Sequence, residues 1–152
     1  MEIIVHATCV ALGSRGALLK GPPGAGKSDL ALRFIALSPE YLGAPPALVA
    51  DDQVILRRQD EHVVASCPPP LAGKVEVRGL GIARLPSTRQ EADLKLVVYL
   101  DNQAPSPRFP EHEKWETVLG IAMPRITLDP FELTAPMKLA LAIGDFFPES
   151  AD

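Results

Sequence analysis

Residues 21–28 read Gly-Pro-Pro-Gly-Ala-Gly-Lys-Ser, and this octet constrains the fold more than any other stretch. It fits Gly-x-x-x-x-Gly-Lys-Ser/Thr, the phosphate-loop or Walker A pattern. The residue types have physical reasons. Gly21, Gly24 and Gly26 permit the backbone angles that packed amides around a phosphate need, and Pro22, Pro23 and Ala25 complete the loop. A helix placed next would aim its free N–H groups and positive dipole end at the anion. Lys27 reaches toward terminal phosphates, and the Ser28 hydroxyl is the residue type that ligates Mg2+. The neighbours agree with this reading. Residues 16–20 are short, apolar and strand-like. Residues 29–37 carry Leu30, Ala31, Phe34 and Ile35 on one helical face, and Pro39 ends the run.

The remaining chain is punctuated by prolines, 16 in all, which mark loops between short elements. Ile3 to Leu12 reads as one or two strand segments, followed by a turn at Ser14-Arg15-Gly16. Ala47 to Ala50 predicts a buried strand ending in Asp51-Asp52. Val54 to Arg58, Val63 to Ala65, Val75 to Arg78, Leu94 to Leu100 and Arg125 to Leu128 predict further strands. Gly79-Leu80-Gly81 reads as a turn or bulge, and Arg108 to Thr117 as a polar loop. Pro136 to Phe147 predicts a helix that is apolar nearly all round, hence largely buried. Strands outnumber helices, which disfavours a doubly wound sandwich. The expectation is an α/β fold with a strand-rich mixed sheet around a P-loop helix.

With 152 residues and 47% hydrophobic content, the chain is expected to form one domain with a proper core. A net charge of −4 and the lack of a basic tract argue against nucleic acid as a partner. No apolar run approaches the ~20 residues of a membrane span, and the first residues lack a signal-peptide pattern. Cys9 and Cys67 suggest reduced, buried thiols, and the cytoplasm is the expected compartment.

A P-loop that transfers phosphate needs a metal-handling acid and a base. Asp51-Asp52 stands at the carboxyl end of an apolar strand, where such acids sit in open sheets. Adjacent strand residues point to opposite sides. One of the pair can therefore face Mg2+ and the other the acceptor; a solvated acidic turn is the alternative. Glu76, Arg78 and two glycines in Glu-Val-Arg-Gly-Leu-Gly suit a loop approaching a metal–phosphate cluster, or an ordinary strand with a surface ion pair. His6 lies in an apolar strand, where burial alone would account for it. His62 and His112 lie in polar segments, and no paired Cys/His spacing suggests zinc.

Taken together, the chain resembles the catalytic domain of the HPr kinase/phosphorylase family. The matching pieces, in order, are His6, Gly21 to Ser28, Ala50-Asp51-Asp52, and Glu76-Val77-Arg78-Gly79-Leu80-Gly81-Ile82. The last is close to a family signature. Leu96 to Leu100 with Asp101-Asn102, and Pro124-Arg125-Ile126-Thr127, resemble further family segments. The likeness runs over about residues 4 to 145. It implies a phosphoenolpyruvate carboxykinase-like fold, ATP and Mg2+ as cofactors, and a serine of an HPr-type phosphocarrier protein as acceptor. It implies Asp51 as the base and Lys27 on the phosphates. It further implies Ser28 and Glu76 around the metal, and His6 within the active site; with Asp51 as the base, Asp52 is the acid of the pair left to face the metal. Arg78 would neutralise charge, and Arg108, sixteen residues before Pro124, matches an active-site arginine.

The resemblance also implies a homo-oligomer, a hexamer in the family. The chain starts almost at the catalytic domain, so a compact form without the family's N-terminal domain is expected. Pro130 to Pro136 departs from the family loop linked to phosphorylase activity, so the forward kinase reaction is the one expected. The alternative is a nucleotide-sensing P-loop regulator without catalysis. A small-molecule kinase is a third reading, disfavoured by the sparse helices.

Overall fold

A computed structural model describes residues 1–102 and 114–144. The first apolar stretch splits at Ala7 into β1 (Glu2–His6) and β2 (Thr8–Leu12). A turn at Gly13-Ser14 leads into β3 (Arg15–Lys20), which feeds the phosphate loop. Then come α1 (Lys27–Ile35) and a one-turn α2 (Pro39–Leu42), the latter unforeseen because Pro39 opens it instead of only closing α1. The strands β4 (Pro46–Ala50), β5 (Gln53–Gln59) and β6 (His62–Ser66) follow. β7 (Lys74–Val77) and β8 (Gly81–Arg84) form a separate hairpin. The chain continues through β9 (Glu91–Leu100), β10 (Lys114–Val118), β11 (Ile121–Leu128) and α3 (Ala135–Gly144).

Nine strands make one mixed sheet whose main path runs β1-β5-β6-β9-β3-β2-β4. β9 is its axis. It pairs in parallel with β3 along nearly its whole length. On its other edge it meets β6 near its start and β11 near its end. β10, inside the stretch expected to be a polar loop, pairs antiparallel with β11. The loop expectation fails there because Lys114-Trp115-Glu116-Thr117 has few apolar residues, yet backbone pairing along a sheet edge does not require them. Residues 103–113 and 145–152, which include Arg108 and the end of the predicted last helix, lie outside the described residues.

Period-two alternation divides the sheet between two cores. Val10 and Leu12 of β2 face a cluster with Leu30, Phe34, Leu139 and Ile143. Cys9 and Ala11 face the opposite cluster, with Leu18, Val54, Leu56, Val63 and Val97. Both faces being covered explains why β2 and β4 are apolar apart from Thr8 and buried at every residue. α1 buries Lys27, Leu30, Ala31 and Phe34, one stripe at helical spacing, and packs on α3, β2, β4 and β7. Val75 of β7 joins that core, which turns Glu76 outward. No described helix is long and apolar enough to cross a membrane.

Candidate active site

The site is built where β3 ends and α1 begins. Gly24 and Gly26 take φ of 81° and 98°, left-handed values that side chains resist. Gly26 caps α1 with no side-chain hydrogen bond, so the first-turn N–H groups stay available to an anion. Lys27 is 9% exposed, and its Nζ donates to the carbonyls of Gly21 (2.6 Å) and Pro22 (3.1 Å). The ammonium is thus folded against the loop that it would serve.

The acids at the end of β4 separate as adjacent residues should. Asp51, 8% exposed, turns inward. Its Oδ1 accepts from Ser28 Oγ (2.9 Å) and Thr8 Oγ1 (2.8 Å), and its Oδ2 from Ser28 (3.1 Å). Asp52 takes φ of 73° and turns outward. Its Oδ1 lies 3.2 Å from His6 Nδ1, with both side chains well exposed. Burial therefore does not explain His6. The sequence reading grouped Asp52 with Ser28; the structure puts Asp51 beside Ser28 and gives Asp52 to His6.

Thr8 was not foreseen. It is 1% exposed in the strand next to β4, and only the register of those strands brings its hydroxyl to Asp51. The sole signal was a polar residue inside an otherwise apolar run. Glu76 and Arg78 sit on the exposed side of the β7–β8 hairpin, and their side chains make no hydrogen bond or ion pair among the described residues. Arg108 lies outside those residues.

Beside the loop is a cavity of about 570 Å³, lined by residues 21–25, by Tyr99, Asp101, Asn102, Arg125 and Thr127 at the strand ends, and by Phe131. Tyr99 donates to Glu116 (2.5 Å), which pushes the phenol's pKa up, with burial adding to the shift. Burial also pushes the Cys9 thiol up to about 12. Cys67 is raised by burial and then by the nearby Asp51 carboxylate.

Among the described residues no three His, Cys, Asp or Glu side chains form a metal cage. Mg2+ keeps its waters and is held by one or two protein oxygens together with substrate phosphates. The Ser28 hydroxyl at the mouth of a glycine cradle is a donor of that kind.

A P-loop followed by a helix, with a buried acid on the loop serine, on a strand-rich mixed sheet, defines a P-loop α/β domain. The family model for the HPr Serine kinase C-terminal domain matches residues 1–137, and the chain belongs to that family. An HPr kinase/phosphorylase of Lacticaseibacillus casei is 30% identical over 134 residues, 82% of this chain and 40% of the relative. One from an Azoarcus species is 33% identical over 138 residues, 84% of this chain and 42% of the relative. The chain thus spans about 40% of the length of the curated relatives that it matches. The solved Hpr(Ser) kinase/phosphatase of Coxiella burnetii superposes with a TM-score of 0.77 at 24% identity, covering 95% of each chain. That likeness establishes the fold.

Proposed function

We propose that residues 1–152 form the catalytic domain of an ATP-dependent protein-serine kinase whose acceptor is an HPr-type phosphocarrier protein. The observation that carries this reading is the contact of Asp51 with Ser28 at the mouth of the phosphate loop, in a chain of this family. An acid on the P-loop serine is the arrangement that serves phosphoryl transfer; phosphate binding alone needs only the loop.

Each residue then has a task. The loop amides and the first turn of α1 cradle the phosphates. Lys27 exchanges its bonds to Gly21 and Pro22 for bonds to phosphate oxygens. Ser28 and Glu76 hold Mg2+, which neutralises charge on the transferred group when bound. Asp51 orients the acceptor hydroxyl and takes its proton, fixed meanwhile by Thr8. His6 and Asp52 form the outer pair at the same strand end, facing the acceptor. Arg78 and Arg108 counter developing negative charge. The altered segment Pro130 to Pro136 leaves the forward reaction without the phosphate-dependent reversal. A cytoplasmic homo-oligomer, hexameric as the family resemblance implies, completes the reading.

The test is intact-mass analysis of purified HPr-type carrier after incubation with the protein and MgATP. The expected result is a gain of one phosphate on a serine, lost with Asp51→Asn although MgATP still binds. Lys27→Ala should weaken both binding and transfer. Added inorganic phosphate should not strip the product. ATP binding without transfer to any carrier would instead support a nucleotide-sensing regulator.

A further inference from the structure

The phosphate loop forms only one wall of its cavity. The other is made by the carboxyl ends of β9 and β11 and by the segment after β11. That wall is not phosphate chemistry.

Phe131 is 56% exposed, a large apolar ring left in water at the cavity edge. Its backbone is braced on three sides. Arg33 of α1 donates to the carbonyl oxygens of Pro130 and Glu132. The Phe131 N–H donates to Asp129 Oδ1 at 2.9 Å. The ring lies close over the loop, since a Cβ on Gly26 would stand 3.2 Å from its edge. An exposed aromatic on a fixed backbone presents a stacking face at little entropic cost.

Arg125 contributes a second feature. Its guanidinium carbon sits 4.6 Å from the Tyr99 ring centre, and its Nη1 lies 3.8 Å from Glu116 Oε1. Its Nε is buried with no hydrogen-bond partner among the described residues. Arg125 itself lines the cavity. Asp101, Asn102 and Thr127 add polar oxygen and amide groups at the rim.

A stacking ring, a guanidinium laid on an aromatic face and a polar rim match a heteroaromatic base with a sugar attached. A phosphate would need several cations instead. The cavity volume also falls in the usual range for small-molecule sites, roughly 300–1,000 Å³. We infer that this cavity takes the nucleoside half of the nucleotide, with the base stacked on Phe131 and the polar rim meeting the sugar and base edge. The inference rests on the nucleotide reading above and extends it from the phosphates to the rest of the ligand.

Calorimetric titration with MgATP and with magnesium tripolyphosphate separates the two halves. Phe131→Ala should weaken MgATP about ten-fold, the order that one base–aromatic stack supplies. It should leave tripolyphosphate unchanged, and Phe131→Trp should restore MgATP. The ring is exposed, so both variants should keep the wild-type melting temperature. Equal loss for both ligands, no loss for either, or tighter binding of both would overturn the inference while leaving the P-loop reading intact. Tight binding of both would mean that the ring merely covers the loop. Failure of the wild type to bind either ligand would overturn the nucleotide reading and the inference with it.

Discussion

Replacing Thr8 by Val tests whether Asp51 is held by the network described above. The Thr8 hydroxyl, 1% exposed, donates to Asp51 Oδ1 at 2.8 Å, and Asp51 is itself 8% exposed. A buried hydrogen bond to a charged group contributes about 1.5–3 kcal/mol. Valine keeps the shape and adds apolar contact worth about 0.8 kcal/mol. The net loss should therefore be about 1–2 kcal/mol. For a chain of this size each kcal/mol moves the melting temperature by about 2–4 °C, so a drop of about 3–6 °C is expected in thermal denaturation at pH 7. The same replacement in an Asp51→Asn background removes only a neutral hydrogen bond, worth about 1 kcal/mol. There the valine methyl nearly cancels the loss. The double-mutant cycle should then show a coupling of about 1 kcal/mol. An identical drop in both backgrounds, or none in the wild type, would refute the view that Thr8 acts through the Asp51 charge.

Three further outcomes follow from the geometry. Cys9 has its thiol raised from 9.0 to about 12 by burial, so the folded state keeps the proton while the unfolded state ionises. Its contribution is complete below pH 9 and fades toward pH 12, at about 1.4 kcal/mol per pH unit. Denaturant unfolding of Cys9→Ala should show a correspondingly shallower alkaline loss; parallel curves would contradict this. Gly26→Ala places a side chain at φ 98° and within 3.3 Å of Phe131 and Pro130. It should cost about 1–3 kcal/mol and weaken MgATP, checked by denaturation and titration. His6→Ala breaks an exposed pair, so stability should change by less than about 1 kcal/mol. Carrier phosphorylation should fall more than ten-fold, and an unaffected rate would remove His6 from the site.

The phosphate loop, α1 and the apolar strands were legible because local periodicity and glycine placement encode them. The Asp51-Asp52 fork was legible too, as the rule of opposite sides for adjacent residues; which acid goes inward was not. That choice depends on β2 lying beside β4, a pairing between segments far apart in sequence. Thr8 was hidden for the same reason. β10 was hidden because Lys114 and Trp115 are exposed and carry no core pattern. β8 was masked by Gly81, whose φ of 99° suggests a turn although it opens a strand. Phe131 stands over Gly26 through contacts between segments far apart in sequence, which no local pattern in Pro130 to Pro136 encodes.

The central position of β9 has a consequence for how the molecule comes into being. β3, which delivers the phosphate loop, gains one neighbour at once from β2, but its other partner is β9, with Lys20 facing Tyr99. During synthesis the loop is thus made long before the strand that fixes its far edge emerges. Parallel pairing at such separation is slow, because a large loop must close before any contact rewards it. Until then β3 is an open edge, able to recruit a strand from another molecule. Deleterious substitutions in residues 91–100 should show themselves first as poor soluble yield, ahead of any change in the chemistry of the finished protein.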